Sequence, residues 1–294
     1  MAGNDGARTS IIPRLRIDQV VTLRDGRRLA YAEYGDATGR PAFYFHGTPG
    51  SRFEAGFLAE AAARHHVRLI AVDRPGFGRS DFKRGRTLLD WPADVAELAD
   101  LLGIERFAVV GLSGGAPHVE ACALRMPERV TGTAVVSGAG PPEARRSGVG
   151  RVRRALLRIE SALAPVTARM LGWYMAVTIK ITPAAMMPRI VDARVMRRKD
   201  ARAACKRAAA EGLRQGGRGV GYELCLFARP WGFALGDIST PIHLWHGDAD
   251  KIVPIGVGRW VAKAIPDCRA TWVAGGGHLL MVDHADEIVR AVAR

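Results

Sequence analysis

The stretch Phe107–Gly115, FAVVGLSGG, passes within nine residues from a β-branched and aromatic run to a serine between small neighbours. Phe107–Leu112 reads as a buried strand, and Gly114 opens a helix that runs to Arg125. A strand ending in GxSxG and turning at once into a helix is the setting of a nucleophile elbow. So sharp a turn strains the serine, and only small residues beside it avoid a clash; Gly111, Gly114 and Gly115 supply that room. The free N–H groups of the new helix face any anion next to Ser113. Chance placement of the chain's serines and glycines gives about 0.1 such strings, so the motif alone is moderate evidence. The bland alternative is a Gly-rich turn with a solvated serine; the clear strand before it and helix after it weigh against that.

The same rhythm extends outward on both sides. Leu15–Leu23 and Arg28–Tyr34 read as strands joined by a turn at Asp25-Gly26. Ala42–His46, Val67–Val72, Val130–Ser137, Ile242–His246 and Ala270–Ala274 read as further strands. Helices are expected over Ser51–His65, Leu88–Leu102, Ile255–Ile265 and Asp283–Val292. Leu88, Trp91, Val95, Leu98 and Leu102 recur on a 3.6-residue period, and Gly103 stops that helix. Continuous apolar strands alternating with helices predict an eight-stranded, mostly parallel sheet covered on both faces, with an antiparallel edge from the opening hairpin. The stretch from Pro141 to Gly236 breaks the rhythm. It is rich in Ala, Arg and Met, has no convincing strand, and is expected to be a helical insertion. The predicted division is a core of 1–140 and 237–294 and a cap of 141–236.

Composition narrows the function. The chain has 294 residues, 48% of them apolar and 24% charged, as in globular proteins. No apolar run is long enough for a membrane span, and Met1–Pro13 carries no secretory h-region. Four distant cysteines lack ligand spacing, so neither a disulfide framework nor a zinc site is expected, and reduced thiols suit a cytoplasmic protein. No metal and no cofactor are expected. The net charge is +14, and the segment Pro141–Gly236 alone has a surplus of 13, with 19 Lys and Arg against 6 Asp and Glu. No zinc-finger spacing, RNP motif or helix-turn-helix accompanies it, so nucleic acid is not the expected partner. The bland reading is a solvated, Arg-rich helix surface. The functional one is attraction of an anionic or carrier-bound substrate, or of an anionic membrane face.

A serine nucleophile needs a base and an acid. His278 ends the loop AGGGH after the last strand, on the rim where open α/β sheets keep their sites; His284 is the competing histidine. Asp248 and Asp250, in WHGDADKIVP, follow the penultimate strand and point the same way in extended chain. Glu143, after the preceding strand, is a distant third. The turn HGTPG (46–50) follows the third strand and offers the Thr48 N–H, beside that of Gly114, as donors to a developing oxyanion. His46 is read as a brace for this turn, because the site already has a base.

The pieces HGTPG, VDRPGFGRSD, VVGLSGG, HGDADKIVP and GGGH, in this order, resemble the α/β-hydrolase superfamily over about Gly26–Gly140 and Pro241–Arg294. The resemblance implies the α/β-hydrolase fold, Ser113 as nucleophile, His278 as base, Asp250 rather than Asp248 as acid, and Thr48 and Gly114 as oxyanion donors. Haloalkane dehalogenases and epoxide hydrolases of this superfamily have Asp where this chain has Ser113. Proline iminopeptidases carry HGGPG and GGSWG and hold an amine with acidic cap groups, whereas this cap is cationic. The insertion resembles the family's cap only in position and helicity.

A cap lies over the nucleophile, so Trp173, Met175, Met186, Met187, Phe227 and Trp231 are expected to line an apolar pocket. The expected enzyme is a serine esterase acting on a carboxylic ester, thioester or lactone with a hydrophobic acyl group. An acyl-transferring cyclase, a cofactor-free peroxidase, a C–C bond hydrolase and a ligand-binding protein that retains the fold are the alternatives.

Overall fold

A computed structural model describes residues 16–147, 151–182 and 192–293. The strands are β1 (Arg16–Thr22), β2 (Arg28–Gly35), β3 (Arg40–Phe45), β4 (Val67–Val72), β5 (Phe107–Leu112), β6 (Val130–Val136), β7 (Ile242–Gly247) and β8 (Cys268–Val273). They form one eight-stranded sheet in the order β1-β2-β4-β3-β5-β6-β7-β8. The β1–β2 and β2–β4 pairs are antiparallel and the other five are parallel. The hairpin turns at Gly26, whose φ is +83°, a value glycine adopts without strain.

Because strand side chains alternate, each strand feeds two cores. Phe43, Phe45, Ile70, Val72 and Val109 pack on one face against α2 (Trp91–Leu101) and α3 (Ala116–Arg125). Ala42, Tyr44, Leu69, Ala71 and Val110 pack on the other, against α1 (Ala59–Arg64) and α9 (Ala285–Val292). Three helices begin later than expected. Arg52–Leu58, Leu88–Asp90 and Ser113–Gly115 are 3₁₀ turns that lead into α1, α2 and α3.

Among the described residues between β6 and β7 lie the helices α4 (Pro142–Arg146), α5 (Arg151–Ile181), α6 (Lys199–Gly212) and α7 (Arg218–Ala228). The last sheet crossover, between β7 and β8, carries α8 (Ile255–Ala264). One face of α5, through buried Ala164, Ala168 and Ala176, packs chiefly on α7. Buried charges join these helices to the core. Arg52 Nη1 lies 2.6 Å from Asp73 and 2.8 Å from Glu211 of α6. Arg74 Nη2 lies 2.7 Å from Glu223 of α7, with both side chains fully buried. All four cysteines are unpaired. No helix among the described residues is long and apolar enough to cross a membrane.

Candidate active site

Ser113 stands at the C-terminal end of β5 with φ of +52°, in the left-handed region that a non-glycine residue rarely occupies. The glycines after it make the turn possible. A Cβ on Gly115 would meet the Phe45 carbonyl oxygen at 2.1 Å, and one on Gly114 would meet Thr48 Oγ1 at 2.3 Å. The second contact also puts the HGTPG turn directly against the start of the helix after the serine.

His278 follows β8, and its Nδ1 lies 2.8 Å from Asp250 Oδ2. Asp250 Oδ1 accepts the N–H groups of Ile252 and Val253. Burial alone would raise this carboxyl; the His278 hydrogen bond and charge, with the two N–H groups, outweigh it and hold the acid below its ordinary range. Asp248 instead accepts the Gly275 N–H at 2.7 Å. Glu143 is paired with Arg146 at 3.0 Å, and His284 faces Glu287 at 3.3 Å, so both belong to surface pairs.

Ser113 and His278 line a common cavity of about 670 Å³. Gly47, Thr48 and Pro49 form one wall, and Met175, Ile179, Leu213 and Leu279 make much of the rest apolar. The expected wall needs correction. Of its six residues, Met175 lines the cavity, while Met186 and Met187 lie outside the described residues. Trp173 is 68% exposed on the outer side of α5, because at 100° per residue it turns away where Tyr174 and Met175 turn in. Phe227 and Trp231 are buried in the core cluster that includes Trp91 instead. Phe227 backs the Gly114 turn from that side, its ring 3.2 Å from where a Cβ would be.

The turn at 46–50 is braced from three directions. His46 Nε2 accepts the Arg74 N–H at 3.2 Å, so its Nδ1–H donates to the Gly47 carbonyl at 2.8 Å. Burial, then the Arg74 charge, push this imidazole well below its ordinary value, which leaves it neutral. Glu54 Oε2 accepts the Gly47 N–H at 2.6 Å and the Tyr44 hydroxyl at 2.8 Å. Burial raises the Glu54 carboxyl, with these donors and the Arg74 and His278 charges partly offsetting it. The Thr48 hydroxyl donates to Glu223 Oε2 at 2.6 Å. Burial opposes ionisation of Glu223 too, but the Arg74 charge and hydrogen bonds, with His118 and Arg86, keep it well below the usual carboxylate range.

Sequence reasoning missed Glu54, Glu223 and Asp192. Glu54 has a visible signal, since it ends the run HGTPGSRFE that begins at His46. Glu223 has none, because Arg74 is 149 residues away. Asp192 accepts the Leu279 N–H at 3.1 Å and so fixes the residue after His278. No group of three His, Cys, Asp or Glu among the described residues is set to hold a metal.

Comparison with known proteins fits this architecture. The chain is 32% identical over 123 residues to a non-heme chloroperoxidase of Streptomyces lividans, covering 42% of this chain and 45% of that one. It is 32% identical over 77 residues to a pimeloyl-[acyl-carrier protein] methyl ester esterase of Aromatoleum aromaticum, covering 26% and 30%. The chain thus spans less than half the length of these relatives. Among solved structures, an alpha/beta hydrolase fold protein from Nakamurella multipartita superposes with a TM-score of 0.65 at 25% identity, over 93% of this chain and 99% of that one. The enol-lactonase from Burkholderia xenovorans LB400 gives 0.68 at 21% identity, over 93% and 98%. A profile of the alpha/beta hydrolase family matches residues 42–291, most of the sheet with everything inserted in it, and the chain belongs to that family.

Proposed function

We propose that the protein is a serine hydrolase that cleaves a carboxylic ester, thioester or lactone with a hydrophobic acyl group through an acyl-enzyme. The observation that carries this reading is one cavity holding both a strained serine and a histidine whose far nitrogen is bound to a buried aspartate. Asp250 accepts Nδ1–H of His278 and so leaves Nε2 free to take a proton. Ser113 Oγ attacks the carbonyl carbon as that proton moves to Nε2. The Thr48 and Gly114 N–H groups hold the oxyanion; one such donor is worth roughly 100- to 1000-fold in rate. His278 returns the proton to the leaving group, then deprotonates the water that releases the acid. On this reading residues 141–236 are a cap on a core of 1–140 and 237–294.

The apolar walls favour an alkyl or aryl acyl chain in a small-molecule ester. The esterase relative named for an acyl-carrier-protein ester makes a carrier-bound acyl group one member of the panel to test. Intact-mass spectrometry after incubation with esters, thioesters and lactones should reveal an acyl adduct. Ser113→Ala should abolish that adduct and fluorophosphonate labelling, and lower turnover by several orders of magnitude. Labelling retained by the variant would assign the chemistry to another nucleophile.

A further inference from the structure

The outer side of α5 is apolar where a solvent-facing helix should be polar. Ile159, Leu163, Val166, Met170, Trp173 and Val177 step by four and three residues, so they form one stripe, and all are exposed. Met170 is 65% and Trp173 68% exposed, so these large side chains meet solvent rather than each other. Exposed Ile181 extends the stripe to about 33 Å at 1.5 Å per residue. The opposite side of the helix is already committed to α7 through Ala164, Ala168 and Ala176. A contiguous apolar strip of this length marks a contact surface.

We propose that this face seats the protein on an anionic lipid surface. Three observations choose that partner. First, α5 carries six Arg and Lys against one Glu, and the segment around it accounts for 13 of the molecule's 14 net positive charges. A second copy would bring two strongly cationic surfaces together, whereas acidic headgroups neutralise them. Second, exposed Arg169 and Lys180 lie beside the stripe, at the height where headgroup phosphates would sit once the apolar side chains were immersed. Third, Trp173 on the stripe and Tyr174 on its cavity-side flank, 100° apart around the helix, both expose their rings to solvent, and such amphipathic rings favour the membrane–water boundary. Tyr174 is both exposed and part of the cavity wall, as is Ile252. Seated in this way, the protein turns the rim of its cavity toward the bilayer, and an apolar acyl group passes from lipid to Ser113 without crossing bulk water. Surface binding does not depend on the hydrolytic reading; only this last consequence does.

Flotation of the full chain with vesicles of phosphatidylcholine and phosphatidylglycerol at 1:1, against phosphatidylcholine alone, tests the proposal. The protein should float with the anionic vesicles, less so as salt rises. Met170→Glu/Trp173→Glu should weaken that partition by about tenfold or more while fluorophosphonate labelling and the circular dichroism spectrum stay unchanged. If the glutamates impair folding, Met170→Ser/Trp173→Ser makes the same comparison. Absence from the anionic vesicles overturns the proposal, as does flotation that the stripe variants leave unchanged. A discrete dimer dissociated by the same variants would instead make the stripe a subunit contact. Capture by an acidic acyl carrier protein, without flotation, would make it a protein-docking face. Loss of labelling in Ser113→Ala with flotation intact separates the failure of one reading from the other.

Discussion

Asp248 and Asp250 share one turn after β7, yet one accepts a backbone N–H and the other an imidazole. Replacing Asp250 by Asn keeps the shape but lets the amide donate, which favours the wrong histidine tautomer. We expect Asp250→Asn to lower kcat by about 10³- to 10⁴-fold, as such changes do in other triads. Asp248→Asn, which can still accept the Gly275 N–H, should stay within a few-fold of the parent. Steady-state kinetics on one chromogenic ester decides, and equal losses in both would remove Asp250 from the mechanism. This aspartate was legible only through resemblance, since two carboxylates two positions apart look alike until the chain bends. Ser113 was legible from its neighbours, because the glycines that a tight elbow needs are themselves in the string.

α7 contributes the acid that matches two arginines of the core. Glu223 accepts from Arg74 at 2.7 and 2.8 Å and lies 3.4 Å from Arg86, all three buried. Removing one member strands the others' charge in a medium that cannot solvate it. Glu223→Ala should therefore cost about 3–5 kcal/mol. Urea unfolding measures this, and a loss under about 1 kcal/mol would mean that water enters and substitutes for the carboxylate. The inner strands and the core helices were legible because each must bury an apolar run or a single stripe, whereas the edge strands β1 and β8 bury no residue fully. The insertion was less so. α5 is apolar on two opposite sides, so residue type alone does not say which side faces inward, and Trp173, expected on the pocket wall, lies outside it. Glu223 carries no signal in the sequence, because its partners come from segments far away along the chain.

The helices inserted between β6 and β7 meet the core at several separate places. Besides the arginine pairs, Gln215 donates to the carbonyls of Gly78 and Ser80, and the Tyr222 hydroxyl to that of Arg86. Helices fastened at so many points should melt together with the core. We expect urea transitions followed by far-UV circular dichroism and by tryptophan fluorescence to coincide at one midpoint. Two separated midpoints would show that the inserted helices unfold alone. Glu223 adds a constraint of its own. The carboxylate that neutralises Arg74 also holds the Thr48 hydroxyl, on the turn that borders the serine. The inserted helix α7 therefore supplies a counter-ion without which the core is incomplete. A descendant of this chain could not trade its insertion for another as a loose part; any replacement would have to bring a carboxylate of its own to the same spot.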